Sequence, residues 1–460
     1  MSLIKSISGI RGTIGGRVND NLTPLDVVKF ASAFGSWLQN NKNKKDLTLV
    51  IGRDARISGQ MVSSLVASTL QGLGINVVDL GLSTTPTVEI MVPELKADGG
   101  IILTASHNPK QWNALKLLND KGEFISGENG ADVLALAENE DFNYAEVDDL
   151  GKYETRDDAF DIHIKQILDL PTVDVDAIKA KKFKVVLDAV NSTGGISIPP
   201  LLEKLGVEVV KLYCEPNGQF PHNPEPLKEH LGDICELVIR EKADMGIVVD
   251  PDVDRLALVD EKGEMFGEEY TLVAVADYLL KDKKGVAISN LSSSRALRDV
   301  AKNLDSDYFA SAVGEVNVVN LMKEKKAIIG GEGNGGIIYP ELHYGRDSLV
   351  GVALFLTHLA KENKTVSELR ATYPSYFMGK KKIELTPDID VDALLIKVQE
   401  EYKNEEISTV DGVKIDFPEN WVHLRKSNTE PIIRIYTEAF SQEEADKLGD
   451  DMIAKIRSLI

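Results

Sequence analysis

Cysteine is scarce in this chain: there are two among 460 residues, Cys214 and Cys235. Two are too few for a disulfide framework at this size, and both lie in apolar runs, so buried, reduced thiols and a cytoplasmic setting are expected. Long apolar runs are missing as well. No stretch approaches the ~20 apolar residues that span a bilayer, and the opening MSLIKSISGIRG has no apolar segment of the kind a secretory signal carries, so no targeting signal is expected. Positive charge is in deficit, since 52 basic against 73 acidic residues leave a net charge of −21. Such a chain repels polyanions, which argues against nucleic acid and anionic membrane as partners. An anionic ligand would have to be caught locally.

What is present is length and alternation. With 43% hydrophobic residues the chain exceeds one ordinary core and should divide into about three or four domains. Apolar β-rich runs alternate with helical patterns: LTLVIG, then amphipathic SGQMVSSLVASTLQGLG, then INVVDLG reads as βαβ. The pattern returns as FKVVLDAV, a Gly/Pro-broken loop, PPLLEKLG and VEVVKLY, and again as GVAISNL, SSRALRDVAKNL and SDYFASAVG. Three mixed α/β domains of related topology are expected, followed by a smaller C-terminal α+β domain built from KKKIELTP, DVDALLIKVQEEY, DGVKIDFPENWVHLR, PIIRIYTEA and a last helix. Acidic polar residues near 139–158 and a break around 373–382 put the boundaries at 1–153, 154–255, 256–372 and 373–460.

Four loops carry chemistry. TASHNP, Thr104–Pro109, follows the apolar strand GGIILTA, which puts Ser106 at a strand end. Alone it reads as a turn, because Ser, Asn and Pro all favour turns. A serine is a weak nucleophile unless a neighbouring base or charge activates it; His107, Lys116 and Arg11 are the candidates, and no G-x-S-x-G elbow supports acyl transfer. DPDVDR, Asp250–Arg255, lies between the strands MGIVV and LALVD. Three carboxylates in so tight a turn repel one another unless a cation sits among them, and hard oxygen ligands suit Mg²⁺ or Ca²⁺. An EF-hand is a rival, with Glu261 at its twelfth position, but Arg255 replaces the required glycine and strands flank the loop. A phosphatase with an aspartyl nucleophile is another, and it leaves TASHNP without a job.

GEGNGG, Gly331–Gly336, formally matches G-x-G-x-x-G, yet the following GIIYPELHYG reads as strand and turn rather than the helix that receives a pyrophosphate. What remains is a glycine-rich loop with Glu332 and Asn334 suited to sugar hydroxyls, or a plain hairpin. RKSNTEP, Arg425–Pro431, gathers two cations with Ser427, Asn428 and Thr429 into a phosphate nest or a solvated turn.

Taken together and in this order, TASHNP, DPDVDR, GEGNGG and RKSNTEP resemble the four active-site loops of the α-D-phosphohexomutase superfamily, and SGIRG at 8–12 and GRDARISG at 52–59 are similar to its N-terminal signatures. The resemblance covers nearly the whole chain. It implies four domains around a central cleft and interconversion of 1- and 6-phosphosugars through a phosphoserine and Mg²⁺, with a hexose 1,6-bisphosphate as intermediate and activator. By position, Ser106 would be the phosphoserine and would complete the Mg²⁺ sphere made by Asp250, Asp252 and Asp254, with Arg255 beside the phosphate. His107 and Lys116 would move protons or steady charge, Glu332 and Asn334 would read hydroxyls, and Arg425, Ser427, Asn428 and Thr429 would clamp the non-reacting phosphate. Three positions depart from the pattern. Pro251 replaces a small residue, Ala114 a glycine, and Gly336 the histidine of many members, leaving His343, Tyr344 and Arg346 to compensate. The expected partner is a small-molecule sugar phosphate, leaning to glucosamine phosphate with glucose or mannose phosphate as the alternative. Less favoured are a sugar-phosphate sensor without activity and the aspartyl phosphatase. Whether the chain forms a homodimer stays open.

Overall fold

A computed structural model describes residues 2–6, 9–42, 44, 46–386, 389–426 and 432–459. The chain falls into two compact units, Met1–Thr271 with Asn334–Leu369, and Leu272–Gly333 with Arg370–Ile460. In the first unit, a mixed seven-stranded sheet runs Ile4–Ser6, Gly9–Thr13, Trp112–Leu118, Gly99–Leu103, Thr48–Arg53, Asn76–Leu82, Tyr153–Thr155. The strands from Gly99–Leu103 through Tyr153–Thr155 are mutually parallel, whereas Trp112–Leu118 lies antiparallel to Gly99–Leu103. A strand covered on both faces needs an unbroken apolar run, and every residue of Gly99–Leu103 is buried. Its carboxyl end therefore delivers residues 104–109 from a rigid base.

The second sheet of this unit has the order Leu256–Val259, Met245–Val249, Lys184–Asp188, Glu208–Leu212, antiparallel in its first pair and parallel thereafter. Both Met245–Val249 and Leu256–Val259 are fully buried, so the turn between them starts and ends in the core. One expectation fails here. The residues just before PPLLEKLG, expected as a Gly/Pro-broken loop, instead open the helix Gly194–Lys204, so Pro199 and Pro200 lie inside it rather than at its start. Lacking N–H groups, these prolines leave two carbonyls of the first turn without helical partners, and burial of Ile198, Leu201 and Leu202 holds the helix despite that. The thiols are free as expected but only half-buried. Cys214 follows the edge strand Glu208–Leu212 and Cys235 sits on the amphipathic helix Gly232–Glu241, so neither is enclosed on all sides.

In the second unit, parallel strands Asp307–Ser311, Val286–Asn290 and Ile329–Glu332 form one sheet. A five-stranded antiparallel sheet, Phe377–Glu384, Ile432–Ala439, Trp421–Lys426, Val413–Asp416, Glu406–Ser408, forms the C-terminal part with the helices Val391–Glu401 and Gln442–Leu459. Among the described residues no helix is long and apolar enough to cross a membrane.

Candidate active site

Ser106 sits at the end of the buried strand with φ of 49°, a left-handed conformation unusual for a residue with a side chain. Its loop is built around Arg56. That guanidinium is 1% exposed and donates to the carbonyls of Ser106, Asn108 (2.7 Å), Pro109 (2.7 Å) and Trp112 (3.0 Å) while Nε pairs with Asp54 (2.9 Å). Asp54 in turn accepts from the Thr104 hydroxyl (2.6 Å), whose oxygen accepts the Ser106 N–H (2.9 Å). The strained serine is thus fixed from two sides.

The Ser106 hydroxyl donates to Asp250 Oδ2 at 2.8 Å. Asp250 Oδ1 accepts the backbone N–H groups of Asp254 and Arg255, both at 3.1 Å, which winds the turn on itself and places Val253 at φ 63°. Ser192 and Thr193 hydroxyls hold the Pro251 carbonyl at 2.7 and 2.9 Å. Asp250, Asp252 and Asp254 are all fully buried, and one oxygen of each lies within 4.8 Å of the others. Lys116 pairs with Asp252 (2.8 Å) and Asp254 (3.5 Å), Thr85 donates to Asp252 (2.6 Å), and Arg346 donates to Asp254 (2.7 Å). Every one of these contacts uses an Oδ2 atom. The Oδ1 atoms of Asp252 and Asp254 are buried with no hydrogen-bond partner, which is costly for an ionised acceptor and is the arrangement a divalent cation satisfies. Burial and the two neighbouring carboxylates hold the Asp250 carboxyl well above its usual range. Asp252 is held below the range, despite its burial, by the Lys116 ammonium and the hydrogen bonds it accepts. Lys116, buried itself, is kept charged by Asp252 and Asp254. These residues fit a hard cation.

His107 is a neutral imidazole in this setting. Burial first, then the charges of Arg255 and Arg346, push it down to about 2, and its Nδ1 is buried without a partner. Arg255 reaches Glu225 at 3.3 Å, with its Nε buried and unpartnered. Arg11 lies on the strand Gly9–Thr13 in register with Ala114, two residues along its strand from Lys116. Glu261, the EF-hand position, is turned to Ser367 instead.

The GEGNGG loop is where the chain passes from the second unit to the first. Asn334, in the first unit, accepts the Gly336 N–H at 3.2 Å. Gly335, at φ 86°, lies so close to the strand after the triad that a Cβ there would meet the Leu256 carbonyl oxygen at 2.3 Å, and Leu256 N–H donates to the Gly335 carbonyl at 3.0 Å. Within the second unit, Glu332 is buried and accepts from Asn290 (2.9 Å) and the Gly314 N–H (3.2 Å). There too, Arg425 Nε donates to Asp411 (2.8 Å), whose same oxygen accepts the Val313 N–H (3.0 Å). His423 contacts the Asp411 carbonyl and the Ser292 hydroxyl at 2.6 and 2.9 Å. Ser427, Asn428 and Thr429 lie outside the described residues.

Sequence reasoning missed the residues that hold this site together. Asp54, Arg56, Thr85, Ser192 and Thr193 lie far from their partners in the chain, and only GRDAR, noted as a family signature, gave any signal.

The chain matches four domain families described as phosphoglucomutase/phosphomannomutase alpha/beta/alpha domains I, II and III and C-terminal domain, over residues 4–144, 161–263, 267–376 and 381–455. It is 37% identical over 440 residues to a phosphoglucomutase/phosphomannomutase of Thermococcus kodakarensis, covering 94% of this chain and 95% of that one. It is 32% identical to a phosphoglucosamine/phosphogalactosamine mutase of Sulfurisphaera tokodaii, covering 98% of each. A solved phosphoglucomutase/phosphomannomutase family protein from Burkholderia thailandensis superposes with a TM-score of 0.86 at 25% identity, over 99% of this chain and 98% of that one. The chain belongs to the phosphoglucomutase/phosphomannomutase family, among the α-D-phosphohexomutases whose loop signatures it carries.

Proposed function

We propose that this protein relocates a phosphoryl group between the 6- and 1-positions of a hexose phosphate through a phosphoserine at Ser106. The observation that carries the reading is the 2.8 Å contact of the Ser106 hydroxyl with Asp250, inside a buried aspartate triad that keeps two oxygens unpartnered. Asp250, Asp252 and Asp254 would hold Mg²⁺, which when bound neutralises charge on the transferring phosphoryl group. Phosphorylated Ser106 gives its phosphoryl group to the free hydroxyl of a sugar monophosphate, whose proton passes to a base. The sugar, now a 1,6-bisphosphate, rebinds reversed and returns its other phosphoryl group to the serine oxygen. His107, held neutral and pushed down to about 2, is too weak a base to keep that proton and serves as an uncharged neighbour of Ser106, whereas Lys116, locked as an ammonium between two carboxylates, steadies charge. Arg255 adds a second cation beside the phosphate. Arg425, with Ser427, Asn428 and Thr429, would hold the phosphate that does not react, and Glu332 and Asn334 the sugar hydroxyls.

The preferred substrate in this proposal is glucosamine 6-phosphate, turned into glucosamine 1-phosphate. Glucose and mannose phosphates are the second reading, favoured by the 37% identical relative that bears that name. Phosphatase-treated enzyme should show a lag that catalytic hexose 1,6-bisphosphate abolishes, with one phosphate mapping to Ser106 and Ser106→Ala inactive. Comparing kcat/KM for the three sugar phosphates decides between them. Wild-type rates in Ser106→Ala, or a phosphate found on Asp250, would sink the mechanism.

A further inference from the structure

Gly336 and Arg346 are bound together by backbone geometry. Ile338 and Arg346 form an antiparallel bridge, and the Asp347 N–H donates to the Ile337 carbonyl at 2.8 Å, so residue 346 runs alongside the short strand Gly336–Ile338. The far side of this corner is pinned by Asp347. Its carboxylate caps the helix Ser348–Glu362 through the N–H groups of Leu349 (2.8 Å) and Val350 (3.3 Å), and receives His163 (2.9 Å) and His343 (3.3 Å). The Arg346 backbone therefore has little freedom. Its side chain leaves that anchor, crosses the face of Gly336 and ends with Nη2 on Asp254 at 2.7 Å. A Cβ on Gly336 would stand 2.3 Å from Arg346 Cδ and 3.0 Å from Cγ, in the middle of the side chain rather than at its movable tip. Only glycine leaves that path open.

We propose that Arg346 is a positioning residue of this site, holding a fixed positive charge against the aspartate triad along a path that exists because position 336 has no side chain. Among the described contacts, Lys116 and Arg346 set two positive charges against three carboxylates. The triad then carries one net negative charge, which restrains its hold on a divalent ion and leaves the filled site positive, ready for a phosphoryl dianion. Of the three residues that sequence put forward to compensate for the missing histidine, Arg346 reaches the triad through Asp254. His343 is turned to Asp347 and Glu89.

The test follows Mn²⁺ binding by electron paramagnetic resonance, together with kcat and KM, in the full-length wild type, Arg346→Ala, Arg346→Lys, Gly336→Ala and the Gly336→Ala/Arg346→Ala double variant. Removing a positive charge beside the ion should tighten Mn²⁺ binding roughly tenfold in Arg346→Ala and in Gly336→Ala. At the same time kcat should fall roughly 100-fold with KM changed little. Arg346→Lys should recover part of kcat. The double variant should be no worse than either single one, because both remove the same contact. A merely structural arginine predicts the opposite for the metal, since a loosened triad binds it more weakly. Weaker Mn²⁺ binding in Arg346→Ala, or losses that add in the double variant, would overturn the proposal. If Arg346→Ala does not fold, Gly336→Ala carries the test. The kinetic arm rests on the mutase reading; a wild type that turns over no hexose phosphate fails that reading and leaves the Mn²⁺ arm to decide on Arg346.

Discussion

Arg56 makes no contact with the aspartate triad, yet it should be among the most sensitive positions of the first unit. Its guanidinium is buried, pairs with the equally buried Asp54 and holds four carbonyls of the serine loop. Replacing it by methionine keeps most of the volume and the packing on Phe220, whose ring centre lies 5.2 Å from the guanidinium carbon. What is lost is the charge and the fork. Breaking one half of a buried ion pair costs ~3–5 kcal/mol, and the full figure applies because no solvent reaches this pair to screen it. Burial already raises the Asp54 carboxyl above its usual range with Arg56 beside it, so without the guanidinium it takes up a proton rather than stay charged. Urea unfolding of Arg56→Met should therefore show a loss of ~3–5 kcal/mol, and Asp54→Asn should show a comparable one. The double variant, in which no charge is orphaned, should lose less than the sum of the two. Additive losses, or a change under ~1 kcal/mol in Arg56→Met, would refute the claim that this pair organises the serine loop.

Three further outcomes are expected. Chelation should abolish activity and Mg²⁺ restore it, while Asp252→Asn, which loosens Lys116 and Thr85 together, should cost roughly 10²–10³ in kcat with the circular dichroism spectrum retained. Arg425→Ala should lower kcat/KM about 10- to 100-fold, since a charge-assisted phosphate contact is worth ~1.5–3 kcal/mol; an unchanged ratio in steady-state kinetics would remove Arg425 from the clamp. Burial pushes His423 down to about 4, so below pH 6.5 the unfolded chain binds a proton that the fold does not. Stability should fall as pH drops from 6.5 towards 4, by ~1.4 kcal/mol per pH unit, and denaturation of His423→Gln should lack that part of the slope.

The aspartate turn was legible because its chemistry is local: three carboxylates in five residues, between two apolar strands, demand a cation whatever the tertiary structure. Ser106 was legible only through its company. Nothing in ASHN predicts a left-handed serine, because the conformation is imposed by Arg56 and Thr104 from outside the loop. GRDAR stood out only by its likeness to a family signature, and burial of both its ion-pair partners follows from a packing that no short window encodes. The first turn of the helix Gly194–Lys204 was misread for a related reason: two prolines locally mark a helix start, whereas burial of Gly194, Gly195, Ser197 and Ile198 extends the helix ahead of them. Gly336 looked like a missing histidine. In the fold it is the opening through which a side chain ten residues later reaches Asp254.

The contacts that assemble the site also bear on when it can form. Ser106 meets Asp250 across 144 residues, Lys116 meets Asp252 across 136, Thr85 meets Asp252 across 167, and His163 meets Asp347 across 184. Contacts so remote in sequence follow local ones, because the entropy of closing long loops must be met before they form. As the chain leaves the ribosome, the serine strand and its arginine scaffold are complete long before any carboxylate of the triad exists. Arg346 and the Asp347 anchor are synthesised last of these residues, so the charge balance of the triad cannot be complete until they have emerged.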